Sequence, residues 1–214
     1  LGKLQDTTKK EAALTTIHFL LQHGCKIVLA THLGRPSEDK APVLSVAPLV
    51  HELQKWLPHT FIKKLDDCIG REVAEAIAKG KPGDIFFLEN LRFHKEEEEN
   101  DYTFAQALAN LADVYVNDAF GVAHRKHASV HRITQFLPLV AGFLLEREVS
   151  MLSKALQPER PAVWILGGAK LNKIELLQQA LKKADKILVG GALAFPFLRA
   201  RGVHVGMSKI DGAS

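Results

Sequence analysis

The sequence predicts an α/β protein: a parallel sheet with helices on both faces, followed by the first βα units of a second α/β domain. Three observations predict it. Short runs rich in Val, Ile, Leu and Phe alternate with longer segments whose apolar residues recur every three or four positions, the periods of buried strands and of amphipathic helices. The apolar runs stop at turn chemistry, at Gly34, Asn90, Asn117-Asp118, Gly167-Gly168 and Gly190-Gly191. Strands that alternate with helices also return the chain the same way round each time, which makes their sheet parallel.

Each element follows from local chemistry. Asp6, Thr7 and Thr8 offer caps for a first helix, whose Leu14, Ile17 and Leu21 share a face until Gly24 ends it. Residues 25–30 read as a strand, broken by Thr31-His32-Leu33-Gly34-Arg35-Pro36. Ser45 is the expected cap of a second helix with Val46, Leu49, Leu53, Trp56 and Leu57 on one face and Pro58 beyond. Residues 60–62 are a short strand candidate, 71–79 a helix, Lys81-Pro82-Gly83 a turn and 84–88 a strand. The charged run 95–99 is expected to be a solvated loop or helix start, since a plain glutamate run does not fix oxygens as a hard cation requires. Residues 102–112 are helical and lead into a strand at 114–116, and Phe136-Leu137-Pro138 closes the region. One helix spans 143–156, and the Gln157-Pro158-Glu159-Arg160-Pro161 segment after it suits a connector between domains. A strand at 162–166, a Gly-Gly turn, a helix at 173–183, a strand at 186–189, a second Gly-Gly turn and a helix at 193–201 follow.

Composition bounds the function. Apolar residues make up 47% of 214, enough for a core in one large domain or two small ones. The two cysteines, Cys25 and Cys68, show no CxxC or zinc spacing, and a reducing cytoplasm is the expectation. No apolar run approaches the roughly 18–20 residues of a membrane span. A net charge of +4 suits an anionic ligand, but no arginine-rich arm or zinc-finger spacing points to nucleic acid. Neither a nucleic-acid nor a membrane partner is expected.

Three strand ends each carry an arginine and a histidine: His32 with Arg35, Arg92 with His94, and His124 with Arg125. On parallel strands these ends converge on one sheet edge, where open α/β sheets bind ligands. Arginine's flat fork of donors fits a carboxylate or a phosphate. A small, doubly anionic molecule is the natural client, and a solvated basic surface is the alternative. The two Gly-Gly turns place backbone N–H groups where phosphate can bind, although neither has P-loop spacing.

In order and spacing, His32-Leu-Gly-Arg-Pro36, Leu88-Glu-Asn-Leu-Arg-Phe-His94, Asp113-Val-Tyr-Val-Asn-Asp-Ala-Phe-Gly121, Ala123-His-Arg125, Pro158-Glu-Arg-Pro161 and Leu166-Gly-Gly-Ala-Lys170 resemble the motifs of the phosphoglycerate kinases. The resemblance covers nearly the whole chain. It implies a glycolytic, cytoplasmic phosphotransferase that moves a phosphoryl group between 1,3-bisphosphoglycerate and MgADP to give 3-phosphoglycerate and MgATP, monomeric in its full-length form. It implies a Rossmann-like N-terminal lobe for the acid at 1–142, an inter-domain helix at 143–158 and the beginning of a nucleotide lobe at 159–214, with hinge closure between the lobes. His32, Arg35, Arg92, His124 and Arg125 would hold the acid. Gly168, Ala169, Lys173 and Gly191 would belong to the nucleotide side, with Lys170 and Lys173 reaching the transferring phosphoryl group. The metal ligands would lie outside this chain.

The chain departs from the family pattern in three ways. The family's opening strand, with its Asp, Asn and Arg, has no counterpart before Leu1. Lys9 stands where the family has a catalytic arginine, keeping the charge but losing the bidentate fork. The later glycine-rich phosphate loop is also missing. A piece of a larger enzyme, inactive by itself, is therefore expected. A non-catalytic binding protein for a small phosphorylated acid is the alternative. A dinucleotide-dependent dehydrogenase would need G-x-G-x-x-G with an acidic residue about 20 positions on, and that fingerprint is absent.

Overall fold

The computed structural model describes residues 8–36, 44–168 and 174–208, with backbone alone at 8–12 and 174–176. Contacts divide the chain into two units, Leu1–Glu148 and Val149–Ser214. The division falls inside a helix rather than in the proline-rich segment after it.

The first unit runs α1 (Thr8–Gln22), β1 (Ile27–Leu29), α2 (Ala47–Trp56), β2 (Ile62–Lys64), α3 (Arg71–Ala78), β3 (Ile85–Phe87), α4 (Lys95–Glu98), α5 (Tyr102–Ala109), β4 (Tyr115–Asn117), β5 (Leu139–Ala141) and the start of α6 (Phe143–Leu156). β3 lies between β1 and β2, parallel to both, with Ile85 opposite Ile27 and Ile62. All three β3 residues are buried, as expected of a strand covered on both faces. Alternate side chains serve opposite faces. Phe86 joins Cys68, Val73, Ile77, Leu88, Phe104 and Leu108 in one core, beneath α3 and α5. Ile85 and Phe87 join Ile17, Val46, Leu53 and Leu57 in another, beneath α1 and α2.

The structure corrects four details. The parallel strands of this unit lie in two pieces rather than one sheet: β4 pairs with β5, Tyr115 opposite Leu139, and neither joins β1. β1 and β4 instead line a common cavity of about 850 Å³. The strand β5 is absent from the sequence reading because Leu139 and Val140 are short of an alternating pattern and about half exposed. β2 starts at Ile62 rather than ending there, since Phe61 is exposed and Leu65 is the residue that reaches the core. Val46, not Ser45, is the cap residue of α2; the Ser45 hydroxyl accepts from Ala47 N at 3.3 Å and donates to Glu89 Oε2 at 2.7 Å.

The run 95–99 is not simply solvated either. Glu97 is 2% exposed, and its carboxylate accepts from Ser129 N at 2.9 Å and Ser129 Oγ at 2.6 Å. A glutamate run carries no label for the member that turns inward. Asp118 has a second such role: its Oδ1 accepts from Leu144 N and Leu145 N, capping α6.

The second unit holds the parallel pair β6 (Val163–Gly167) and β7 (Lys186–Gly190), with α7 (Ile174–Lys183) and α8 (Phe195–Ala200). A four-residue 3-10 turn, Gly191–Ala194, precedes α8, so the helix expected at 193 begins later. Leu177, Ala180 and Leu193 are buried. Among the described residues, no helix is long and apolar enough to cross a membrane.

Candidate functional site

The basic cluster is assembled by the carboxyl ends of β1, β3 and β4. β1 leads into the loop that bears His32. After β3, Leu91 N donates to Thr31 O at 3.1 Å, drawing the 3-10 turn Leu91–Phe93 against that loop. Asn90, fully buried, secures the junction. Its amide oxygen accepts from Leu33 N and Arg92 N, and its amide nitrogen donates to Leu33 O and Leu44 O. Three of the four hydrogen bonds of that amide thereby serve the placement of Arg92 and the His32 loop, and the fourth holds Leu44.

Beneath it, Glu89 accepts from Val46 N, Asn90 N and Ser45 Oγ and pairs with Lys64 Nζ at 2.8 Å. Burial pushes its carboxyl pKa up, but the hydrogen bond from Lys64 and those from Val46, Asn90 and Ser45 outweigh it, and the net shift is downward. Glu89 is ionised structure rather than an acid in waiting.

Arg92 is the centre of the site. Its side chain is only 7% exposed. Nη1 donates to Gly34 O at 2.7 Å, while Nε and Nη2 are buried with no hydrogen-bond partner. Glu98 Oε1 lies 3.1 Å from Nε without hydrogen-bond alignment. A buried guanidinium with unmet donors favours an incoming anion. Burial holds the His32 pKa below the ordinary histidine value, and Arg92, His127 and Arg125 lower it further, with Glu98 opposing. Three basic side chains thus act on His32 here, and Glu97 anchors the segment that supplies His127, whose Nδ1 lies 3.6 Å from Glu97 Oε1.

The structure brings together one member of each sequence pair. His32, Arg92 and Arg125 gather, while His94 turns to Asp67, with Nε2 at 2.6 Å from Oδ1. Arg35 and His124 are exposed, without a hydrogen bond or ion pair to another described residue. His127 joins the cluster in place of His124; one residue type at two nearby positions gave the sequence no means of choosing. Glu89, Asn90 and Glu97, which position the cluster, are the functional residues that the sequence reading missed. Their signal was burial, which a polar residue does not advertise.

In the second unit the two glycine turns meet. Gly168 has φ +149 and Gly191 φ +61. Leu193 N donates to Gly168 O, and a Cβ on Gly191 would stand 3.3 Å from Gly168 N. Both positions need glycine, for conformation and for close approach. Ala169, Lys170 and Lys173 lie outside the described residues, as does the side chain of Lys9.

Residues 1–213 match the family model for phosphoglycerate kinase. The phosphoglycerate kinase of Moorella thermoacetica is 49% identical over 212 residues, 98% of this chain and 54% of that protein. That of Geobacter metallireducens is 47% identical over 211 residues, 97% of this chain and 53% of that protein. The crystal structure of phosphoglycerate kinase from Pyrococcus horikoshii OT3 superposes with a TM-score of 0.83 at 33% identity, covering 96% of this chain and 53% of that one. The Coxiella burnetii enzyme gives 0.81 at 36% identity, covering 96% and 52%. The chain spans about half the length of the curated relatives it matches. With parallel strands, a basic cluster at their carboxyl ends and a family match from end to end, the chain belongs to the phosphoglycerate kinase family.

Proposed function

We propose that this chain supplies the acid-binding groups, and the first turns of the nucleotide side, for phosphoryl transfer between 1,3-bisphosphoglycerate and ADP giving 3-phosphoglycerate and ATP. The observation that carries this reading is Arg92, whose nearly buried guanidinium keeps Nη2 without a hydrogen bond and Nε against Glu98 alone, and which acts on His32 together with Arg125 and His127. Arg92 and Arg125 offer planar forks to phosphate or carboxylate oxygens, and His32, neutral when free, gains a proton readily once an anion arrives. Arg35 and His124, on the exposed rim, would add long-range attraction. Lys9, Lys170 and Lys173 are assigned to the transferring phosphoryl group, and Gly168, Ala169 and Gly191 to the nucleotide.

Phosphoryl transfer asks for positioning and for cations around spreading negative charge, with little covalent help. The nucleotide is taken to be MgATP or MgADP, but magnesium wants oxygen ligands. The three potential ligands found together among the described residues are Asp67, Cys68 and His94, a mixed set that does not suit it. No step is assigned to these residues through that ion. The free thiols Cys25 and Cys68 fit a cytoplasmic setting.

Calorimetric titration with 3-phosphoglycerate tests the reading. Saturable binding that Arg92→Ala weakens by at least tenfold is expected, the order of a lost charge-assisted hydrogen-bond pair. Affinity equal in the parent and in folded Arg92→Ala would remove Arg92 from the site and the proposal with it.

A further inference from the structure

A second cluster lies where the sequence pattern gave no metal signature. Asp67 and Cys68 follow β2, and His94 ends the 3-10 turn after β3; the parallel pairing of those strands brings the two segments side by side. One ligand atom from each of the three residues lies within 4.8 Å of the others. We propose that Asp67, Cys68 and His94 bind one divalent cation of the zinc class, tying the loop after β2 to the turn that carries Arg92.

The donor set argues for the class of ion. A thiolate, an imidazole and a carboxylate suit zinc or cobalt(II), not a hard ion such as magnesium or calcium. Zinc bonds of about 2.0–2.3 Å place tetrahedral neighbours roughly 3.3–3.7 Å apart. His94 Nε2 and Asp67 Oδ1 lie 2.6 Å apart, and an ion seated between them moves them apart by about 1 Å. Asp67 is exposed and its Oδ1 accepts from Cys68 N at 2.6 Å, so it is its outward-facing carboxylate that adjusts, while Cys68 is fixed at 1% exposure. The Phe104 ring, 4.9 Å from that of His94 and tilted by 31°, restrains the imidazole plane. Solvent reaches the cluster from the Asp67 side, and a water would fill the fourth position of a three-ligand site.

The cluster sets a carboxylate and an imidazole beside a buried thiol. Alone, Cys68 is a neutral core thiol that donates to Glu89 O at 3.0 Å. The Asp67 carboxylate within the cluster attracts a dication, and a coordinated thiol loses its proton to solvent. The competing arrangement, an ordinary core thiol beside a surface histidine–aspartate pair, needs no metal. Zinc-type donors from two separate segments, brought within 4.8 Å of one another, are what favour a site.

The test is an equilibrium titration of the whole chain, reduced and metal-free, with Co²⁺ as the spectroscopic probe and Zn²⁺ as competitor. One equivalent of Co²⁺ is expected, with a sulfur-to-cobalt charge-transfer band that one equivalent of Zn²⁺ abolishes. Cys68→Ser removes the band. Because Cys68 is in the core and its variant can fail to fold, Asp67→Asn and His94→Gln carry the test independently, each weakening Zn²⁺ by at least tenfold. A folded parent chain without the charge-transfer band, or Zn²⁺ affinity unchanged in both Asp67→Asn and His94→Gln, overturns the proposal. Neither result bears on 3-phosphoglycerate binding, which Arg92 tests separately.

Discussion

The two units carry apolar strands of similar composition and treat them differently. In the first, β3 sends Phe86 to one core and Ile85 and Phe87 to another, so the strand is covered on both faces. In the second, Val163, Ile165 and Leu188 share one face of the β6–β7 pair and are 53%, 78% and 55% exposed. A parallel sheet is stable when helices cover both faces. The comparison teaches that an apolar run specifies a strand, while its burial depends on what else packs against it.

The largest break in that contrast comes from the polar brace beneath the first unit. Glu89→Ala removes the partner of Lys64, Val46 N, Asn90 N and Ser45 Oγ together. The expected loss is about 3–5 kcal/mol, typical of an ion pair broken in a buried setting. Amide exchange followed peptide by peptide should show the loss across β1, β2 and β3, with β6 and β7 unchanged. Equal loss in both units would mean they unfold as one.

The second unit offers a matched pair. Leu193 is 2% exposed, so Leu193→Ala should cost about 2–4 kcal/mol through the cavity it leaves. Ile165→Thr, on the exposed face, should change stability by less than about 0.5 kcal/mol. Urea denaturation read from the β6 and β7 amides separates them. A large cost at Ile165 would show that its face is covered in solution.

Legibility follows the same division. The strand and helix periods placed β1, β3, β4, β6 and β7 to within a few residues, and the helix at 143–156 to its ends, because each carries its own pattern and stop chemistry. The position of Arg92 just after a strand was legible. The residues that hold it were not: Glu89, Asn90 and Glu97 are polar residues in polar-looking stretches, and only the tertiary fold turns them inward. The choice of His127 over His124 likewise depends on the turn at Phe120–Val122, whose geometry no periodicity encodes.

A smaller effect is expected at the start of α6. A Cβ on Gly142 would collide with the Asp118 carboxylate, which caps Leu144 N and Leu145 N. Gly142→Ala should cost about 1–2 kcal/mol, the scale of a lost cap. Asp118→Ala in the same background should then add little, because the cap is already displaced. Thermal melts of the two single variants and the double variant decide it; full additivity would mean that the cap survives the alanine.

The smallest effect is the most specific to the basic cluster. Burial, then Arg92, His127 and Arg125, hold the His32 pKa below its ordinary value, so the folded chain resists protonation there. The unfolded chain takes up that proton near the ordinary value of about 6.5. Between that value and the lower folded one, the unfolded state binds more protons, so this contribution to stability is present above about pH 6.5 and is lost as pH falls through the window. His32→Gln should flatten that part of the stability profile. An anion seated against Arg92 acts in the opposite direction, since negative charge favours the imidazolium. NMR titration of the His32 ring should therefore show its pKa rising when 3-phosphoglycerate saturates the site. A pKa unmoved at saturation would mean that the ligand sits away from His32, and the convergence of the strand ends would then be a matter of fold alone.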